Sequence, residues 1–287
     1  MAVKTYKPYT PSRRFMVWYD FSDITTRTPE KSLTKFLGKT GGRNNKGRIT
    51  SRFKGWWHKR LYRIIDFRGY DKADIPAKVV SVEYDPYRTC RIALLNYSDG
   101  EKRYVLAWKG INVGETIMCW AKSEIKAWNR KQLKNIPEGM NVFNLEVTPL
   151  SKWKLIKAAG TSATLAWKDE TQGLIFVKLP SGEVRKFNEN CRATIGEVGN
   201  EQHKHIVIWK AWRTRRLWRK PKVLWINMNP VDHPHGWWEA HSDLGQKRWP
   251  KSFSGKLVTP GIKTRRKKKW SDKFIVSKRA NASKRIK

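Results

Sequence analysis

Between Leu61 and Val198, turn residues cut the chain into short strand-like runs, none of helical length. The first set is Leu61–Phe67, Ala77–Tyr84, Arg91–Tyr97, Arg103–Ala107 and Glu115–Cys119. The second is Val142–Val147, Ala163–Trp167, Leu174–Leu179, Val184–Phe187 and Cys191–Val198. β-Branched and aromatic residues recur within the runs, and Gly, Pro, Asn, Asp or Ser stand between them, as in antiparallel strands joined by tight turns. Asn96-Tyr97-Ser98-Asp99-Gly100 and Pro180-Ser181-Gly182 each supply a glycine where a reversing chain needs positive φ. Five short strands suit a small closed barrel of the oligonucleotide-binding type. The second set suits another small barrel, because closure removes edges that this chain could not cover with helices. Ala127–Gly139, with Asn129, Pro137 and Gly139, reads as a linker. The expected chain is mostly β: a basic extension at 1–60, a first barrel at 61–126, a second at 127–200 and a basic extension at 201–287.

The charge says what such barrels face. Sixty-one Lys and Arg against 24 acids give a formal charge of +37, which repels itself unless a polyanion neutralises it. Residues 1–60 hold fifteen basic side chains against three acids, and residues 261–287 hold twelve against one, so both ends read as arms ordered by a partner. A membrane is the weaker candidate, since no run of about 18 apolar residues exists. Cys90, Cys119 and Cys191 form no CxxC pair and fit a reducing compartment. The first twenty residues hold no apolar signal core, and Pro8 and Pro11 interrupt an import helix.

Three segments carry candidate contacts. Lys39–Lys54 reads as an extended loop in which Gly41, Gly42 and Gly47 admit close backbone approach to phosphates, while Arg43, Arg48 and Arg52 supply fork-shaped donors. His58, followed by Lys59 and Arg60, extends it. In Ile206–Lys222 a short helix ended by Pro221 would carry Arg213, Arg215, Arg216 and Arg219 among Trp209, Trp212 and Trp218, a pattern that suits stacking on unpaired bases. The third segment is Asn227–Ala240, where Asp232, His233 and His235 crowd a loop stiffened by Pro230 and Pro234. A metal would need further ligands at regular spacing, and only Glu239 and His241 lie near. A hydrolytic triad would need a nucleophile on a strained elbow, which Ser242 does not occupy. Imidazoles that donate to phosphate, 2′-hydroxyl or base edge are the more economical reading; rings that simply hold the loop together are the alternative. His203 and His205 alternate on a stretch read as extended, one inward and one outward.

Long ordered stretches carry a family likeness: GGRNNKGRIT at Gly41–Thr50, HKRLYRIIDF at His58–Phe67, SVEYDP at Ser81–Pro86 and RIALLNYSDGEKRYVLA at Arg91–Ala107. CRATIGEVGN at Cys191–Asn200, MNPVDHPHG at Met228–Gly236 and SDKFIV at Ser271–Val276 continue it. Over nearly its whole length the chain resembles the universal ribosomal large-subunit protein two family. That resemblance implies an oligonucleotide-binding barrel followed by an SH3-like barrel, with basic N- and C-terminal extensions threaded into large-subunit rRNA. It implies rRNA contacts at Asn44, Asn45 and Asn229 beside the basic and histidine residues above, with His233 at the family's most discussed position. It also implies neighbouring ribosomal proteins as partners, the small subunit across the intersubunit face, and support of subunit association and of the peptidyl-transferase region. No catalytic cofactor follows; Mg2+ enters only as an ion associated with the RNA. A free-standing RNA-binding module and a histidine-dependent RNA-processing enzyme are the rival readings.

The chain departs from the family at Gly55-Trp56-Trp57 and Gly236-Trp237-Trp238, and at Trp209, Trp212, Trp218 and Trp225, where the family carries glycine. Two accounts stay open: genuine indoles that stack on altered RNA or extra protein, or a decoding or editing difference, since one base separates GGG from UGG. An edited or nonstandard genome points to a mitochondrion that encodes the protein locally, with bacterial cytoplasm or plastid as alternatives.

Overall fold

The computed structural model describes residues 3–55, 58–118, 125–237, 250–258 and 269–279; Trp56, Trp57, Cys119 and Trp238 lie outside them. The chain divides into two compact units. The first comprises Met1–Gly38, Lys59–Lys210 and Ser271–Lys287, the second Lys39–His58 and Ala211–Trp270.

In the first unit β1 (Val3–Thr5) and β2 (Val17–Tyr19) pair around a one-turn helix α1 (Pro11–Arg14), and β3 (Thr34–Phe36) pairs with β4 (Leu61–Arg63). Part of the basic N-terminal stretch is thus folded into sheet. Next come β5 (Ala77–Glu83), β6 (Ile92–Tyr97), β7 (Lys102–Leu106) and β8 (Thr116–Ile117), an antiparallel sheet in the order β7-β6-β5-β8. Ala77 and Lys78 of β5 pair with β6 on one side and β8 on the other, and a register shift between Val79 and Ser81 then bends the strand. Beyond β4, Ile65 bridges Tyr104, and the Asp66 N–H donates to the Tyr104 carbonyl at 2.9 Å, covering the outer edge of β7. The turn after β6 closes as its glycine requires: Gly100 has φ +83°, and its N–H donates to the Tyr97 carbonyl at 2.9 Å.

The second sheet holds β9 (Arg130–Gln132), β10 (Asn141–Phe143), β11 (Ala163–Asp169), β12 (Leu174–Lys178), β13 (Val184–Asn188), β14 (Arg192–Ile195) and β15 (Ile275–Ser277), in the order β15-β13-β12-β11-β10-β14-β9. Two strands differ from expectation. The stretch read as a linker carries β9 and a helical turn whose Leu133, like Ile136 just beyond it, is fully buried. An Arg-Lys-Gln edge strand offers no apolar alternation to read, and backbone pairing with β14 makes it. At the opposite edge, Ile275–Ser277 returns from the C-terminal stretch to pair with β13.

Leu95, Tyr104, Val105 and Phe143 build one core, and Leu133, Leu165, Val177 and Ile195 the other. Each such side chain contributes roughly 1.5–3 kcal/mol by leaving water. Ile156 packs against both cores, and Trp108 bridges Val198 between the sheets. The Tyr104 hydroxyl, inside the first core, accepts from the Glu30 N–H and donates to the Glu83 carboxylate, both at 2.8 Å, so its polar end is satisfied. Cys90 and Cys191 are buried, which pushes their thiols up to about 11 and about 12 and makes them unreactive. His203 sits on a helical turn rather than an extended stretch; it is half-buried against the Tyr19 hydroxyl, and His205 is exposed.

Candidate nucleic-acid interface

The second unit joins segments that lie more than 150 residues apart in the chain. The Lys220 N–H donates to the Phe53 carbonyl at 3.0 Å, the Gly55 N–H to the Trp218 carbonyl at 3.3 Å, and the Trp218 indole N–H to the His58 carbonyl at 3.1 Å. Lys39 donates to the same His58 carbonyl at 3.0 Å and lies over the Trp218 ring. Gly41, Gly42, Arg43, Asn44, Asn45, Arg48, Arg52 and His58 thereby share one unit with Arg213, Arg215, Arg216, Arg219, Asn229, Asp232, His233 and His235. Lys59 and Arg60 belong to the first unit, where Arg60 donates to the Pro86 carbonyl at 3.0 Å.

Within Lys39–Lys54 the residues divide by role. Gly42, at φ +83°, faces its own chain: a Cβ there would meet the Ser51 carbonyl oxygen at 2.1 Å, and its carbonyl accepts the Thr50 and Ser51 N–H groups at 3.0 Å. Asn44 closes the loop, its side-chain oxygen accepting from the N–H groups of Lys46 and Arg48 at 3.0 Å. These two residues shape the loop. Gly47 has open space about it and φ +74°, and Arg43, Asn45 and Arg48 are exposed, which leaves that tip free for close approach of a phosphate.

The helix α2 (Ala211–Arg216) aims Arg213, Arg215 and Arg216 along its last turn, and Arg219 follows it, exposed. From Asn227 the chain turns twice. The Asn229 carbonyl accepts from the N–H groups of Asp232 (2.9 Å) and His233 (3.2 Å), and the His233 carbonyl from Gly236 (2.8 Å). The Met228 carbonyl then closes the loop by accepting from Trp237 (3.0 Å). Asp232 and Asn229 stay exposed on a cleft of about 580 Å³ that Arg52 and Phe53 also line.

His233 and His235 are instead enclosed, 1% and 2% exposed. Trp225 stacks on His233 with centroids 5.0 Å apart and planes 11° apart. His235 stacks on His233 at 5.2 Å, and Phe253 meets His233 edge-on at 4.6 Å with the Arg52 guanidinium 3.8 Å above its own ring. His233 Nδ1 accepts the His235 N–H at 3.0 Å, and His235 Nε2 accepts the Lys251 N–H at 2.7 Å. Each neutral ring therefore carries its proton on the other nitrogen. Among the described residues neither His233 Nε2 nor His235 Nδ1 finds an acceptor. Two buried donors are costly to leave unmatched. Lys39, Trp225, Lys251 and Phe253 are site residues that local sequence reading did not select. For Lys251 and Phe253 the available signal was Pro250 before the turn at Ser252–Lys256 and Gly255 within it.

Burial pushes the His233 imidazole below its ordinary value of 6.5, and the neighbouring His235 and Arg52 act in the same direction. A depressed folded value means the loop is fully stable above the unfolded value and loses stability as pH falls from 6.5 through the depressed one. In the RNA-free protein, amide exchange at Asp232, His233 and Trp237, corrected for intrinsic pH dependence, is expected to accelerate as pH falls below 6.5 while core amides of β6 do not respond. A flat profile across that range would show that His233 does not hold the loop.

Two family models match the chain: residues 30–119 match the RNA-binding N-terminal domain of ribosomal proteins L2, and residues 126–255 match the C-terminal domain of ribosomal proteins L2. Together they take in the four-stranded sheet, the seven-stranded sheet apart from β15, the glycine-rich loop and the histidine loop. The mostly β chain is accordingly an oligonucleotide-binding barrel followed by an SH3-like barrel.

Proposed function

Because the chain belongs to the ribosomal L2 family, and so binds rRNA in the large subunit, we propose that its second unit is the clamp that fixes RNA geometry near the subunit interface. One observation carries this reading: Lys39–His58 and Ala211–Trp237 bring twelve Lys and Arg together with a single carboxylate, Asp232. A folded surface of that composition repels itself and is stabilised by a polyanion. The exposed arginines neutralise phosphates, and the imidazole N–H groups of His233 and His235 meet oxygens of the RNA. Neither ring acts on a substrate: the contribution to subunit association and to the peptidyl-transferase region is positional, with the small subunit and neighbouring ribosomal proteins as further partners.

A free-standing RNA-binding module is the competing assignment. Sedimentation separates the two: after a high-salt wash the chain is expected to remain with large subunits. A main population at the top of the gradient, bound to short RNA or free, would overturn the integral assignment.

A further inference from the structure

Ten residues other than glycine hold positive φ among the described residues, and three of them are tryptophans: Trp128 at +70°, Trp209 at +40° and Trp218 at +70°. Of the sixteen tryptophans in the chain, Trp56, Trp57, Trp120, Trp238 and Trp249 lie outside the described residues, so these are three of eleven. Bulky L-residues rarely enter this region, because the Cβ meets the following carbonyl. Phe21, Phe53, Leu150 and Ile156 share it, but no single base separates their codons from a glycine codon, as one does for tryptophan. Fourteen of the seventeen described glycines occupy it.

Two of the three stand in hydrogen-bonded motifs that favour glycine. After α2 the Arg219 N–H donates to the Thr214 carbonyl at 3.3 Å and the Trp218 N–H to the Arg215 carbonyl at 3.0 Å. That pair, six-to-one and five-to-two, defines a Schellman cap with Trp218 at the left-handed C′ position. At Lys126-Ala127-Trp128-Asn129 the Asn129 N–H donates back to the Lys126 carbonyl at 3.3 Å, and Trp128 is the third residue of the turn, where positive φ calls for glycine. By contrast Trp108 and Trp153, both 3% exposed and both outside the positive-φ set, are placed as tryptophans ordinarily are.

We infer that the polypeptide made in the native cell carries glycine at positions 128, 209 and 218, where the sequence reads tryptophan. The source is a codon that the native system reads as glycine, or a transcript edited before it is read. The rival is an indole held against its backbone preference by side-chain contacts, such as Trp128 stacked on Trp108 at 5.6 Å or the Trp218 indole N–H bonded to the His58 carbonyl. The inference stands on backbone geometry and does not depend on the proposed function.

Peptide mass spectrometry of the chain purified from its native cells decides it. Glycine masses are expected at 128, 209 and 218, and tryptophan masses at 108 and 153 in the same digest. A tryptophan mass at 128, 209 or 218 overturns the inference, as do glycine masses at 108 and 153, which would break the link to backbone geometry. Comparing gene with transcript then separates the sources: a changed base assigns editing, and an unchanged one assigns codon reading.

Discussion

Replacing Gly236 with alanine is expected to open the histidine loop while leaving both barrels folded. The added Cβ would lie 2.3 Å from the Asn229 carbonyl oxygen and 2.5 Å from that of Met228. These are the two acceptors that close the loop, one holding the Asp232 and His233 N–H groups and the other the Trp237 N–H. A crowded side chain can rotate away, whereas a carbonyl tied into turns cannot, so the upper end of the overpacking range applies, about 3 kcal/mol. That is about a hundredfold in local opening. Amide exchange at Asp232, His233 and Trp237 should accelerate by about that factor, with β6 and β11 amides unchanged. Large subunits carrying the variant should join small subunits poorly, because the imidazoles lose their placement. Gly38→Ala, where no atom lies within 4 Å, is the matched control and should behave as the parent. Parental exchange at Trp237 in Gly236→Ala would show that the loop tolerates the methyl group.

The barrel strands were legible because alternation and turn chemistry act locally. Leu174–Lys178 and the start of Ala77–Glu83 alternate inward and outward, Ile92–Tyr97 is largely apolar and buried on both faces, and Gly100 and Gly182 turn as their lack of a Cβ permits. Arg130–Gln132 was not legible, because an edge strand made by backbone pairing leaves no apolar period in basic residues. The site divides the same way. Residue type and loop stiffness selected the histidines and arginines, and the glycine loop, but type alone does not say which side of a loop faces inward. Gly42 and Asn44 turned out to build the loop, and His233 and His235 to pack within it. Phe253 and Lys251 complete the imidazole stack from some twenty residues away, a pairing that only the folded chain defines.

The largest effect expected on RNA binding comes from removing exposed arginines of the second unit together. Arg43, Arg48 and Arg219 are exposed and sit on the loop and on the segment after α2 that the fold joins. If each neutralises a phosphate, each Arg→Gln change lowers the slope of log affinity against log salt by about 1. The triple variant should therefore lose about 3 from the slope, with the affinity deficit greatest at low salt, where counterion release contributes most. Thermal unfolding should be unchanged, because the three side chains bury little. Arg→Lys at the same positions keeps the charge and should keep the slope; any loss of affinity it brings reports lost two-pronged contact. Lys154→Gln with Lys178→Gln and Lys204→Gln removes the same charge from exposed positions of the first unit and should change the slope less. Equal slopes for the two triple variants would mean that the chain acts as a diffuse polycation. A preserved control slope beside a collapsed one would assign the phosphate contacts to the surface that Lys39–His58 and the segment from α2 to the histidine loop build together.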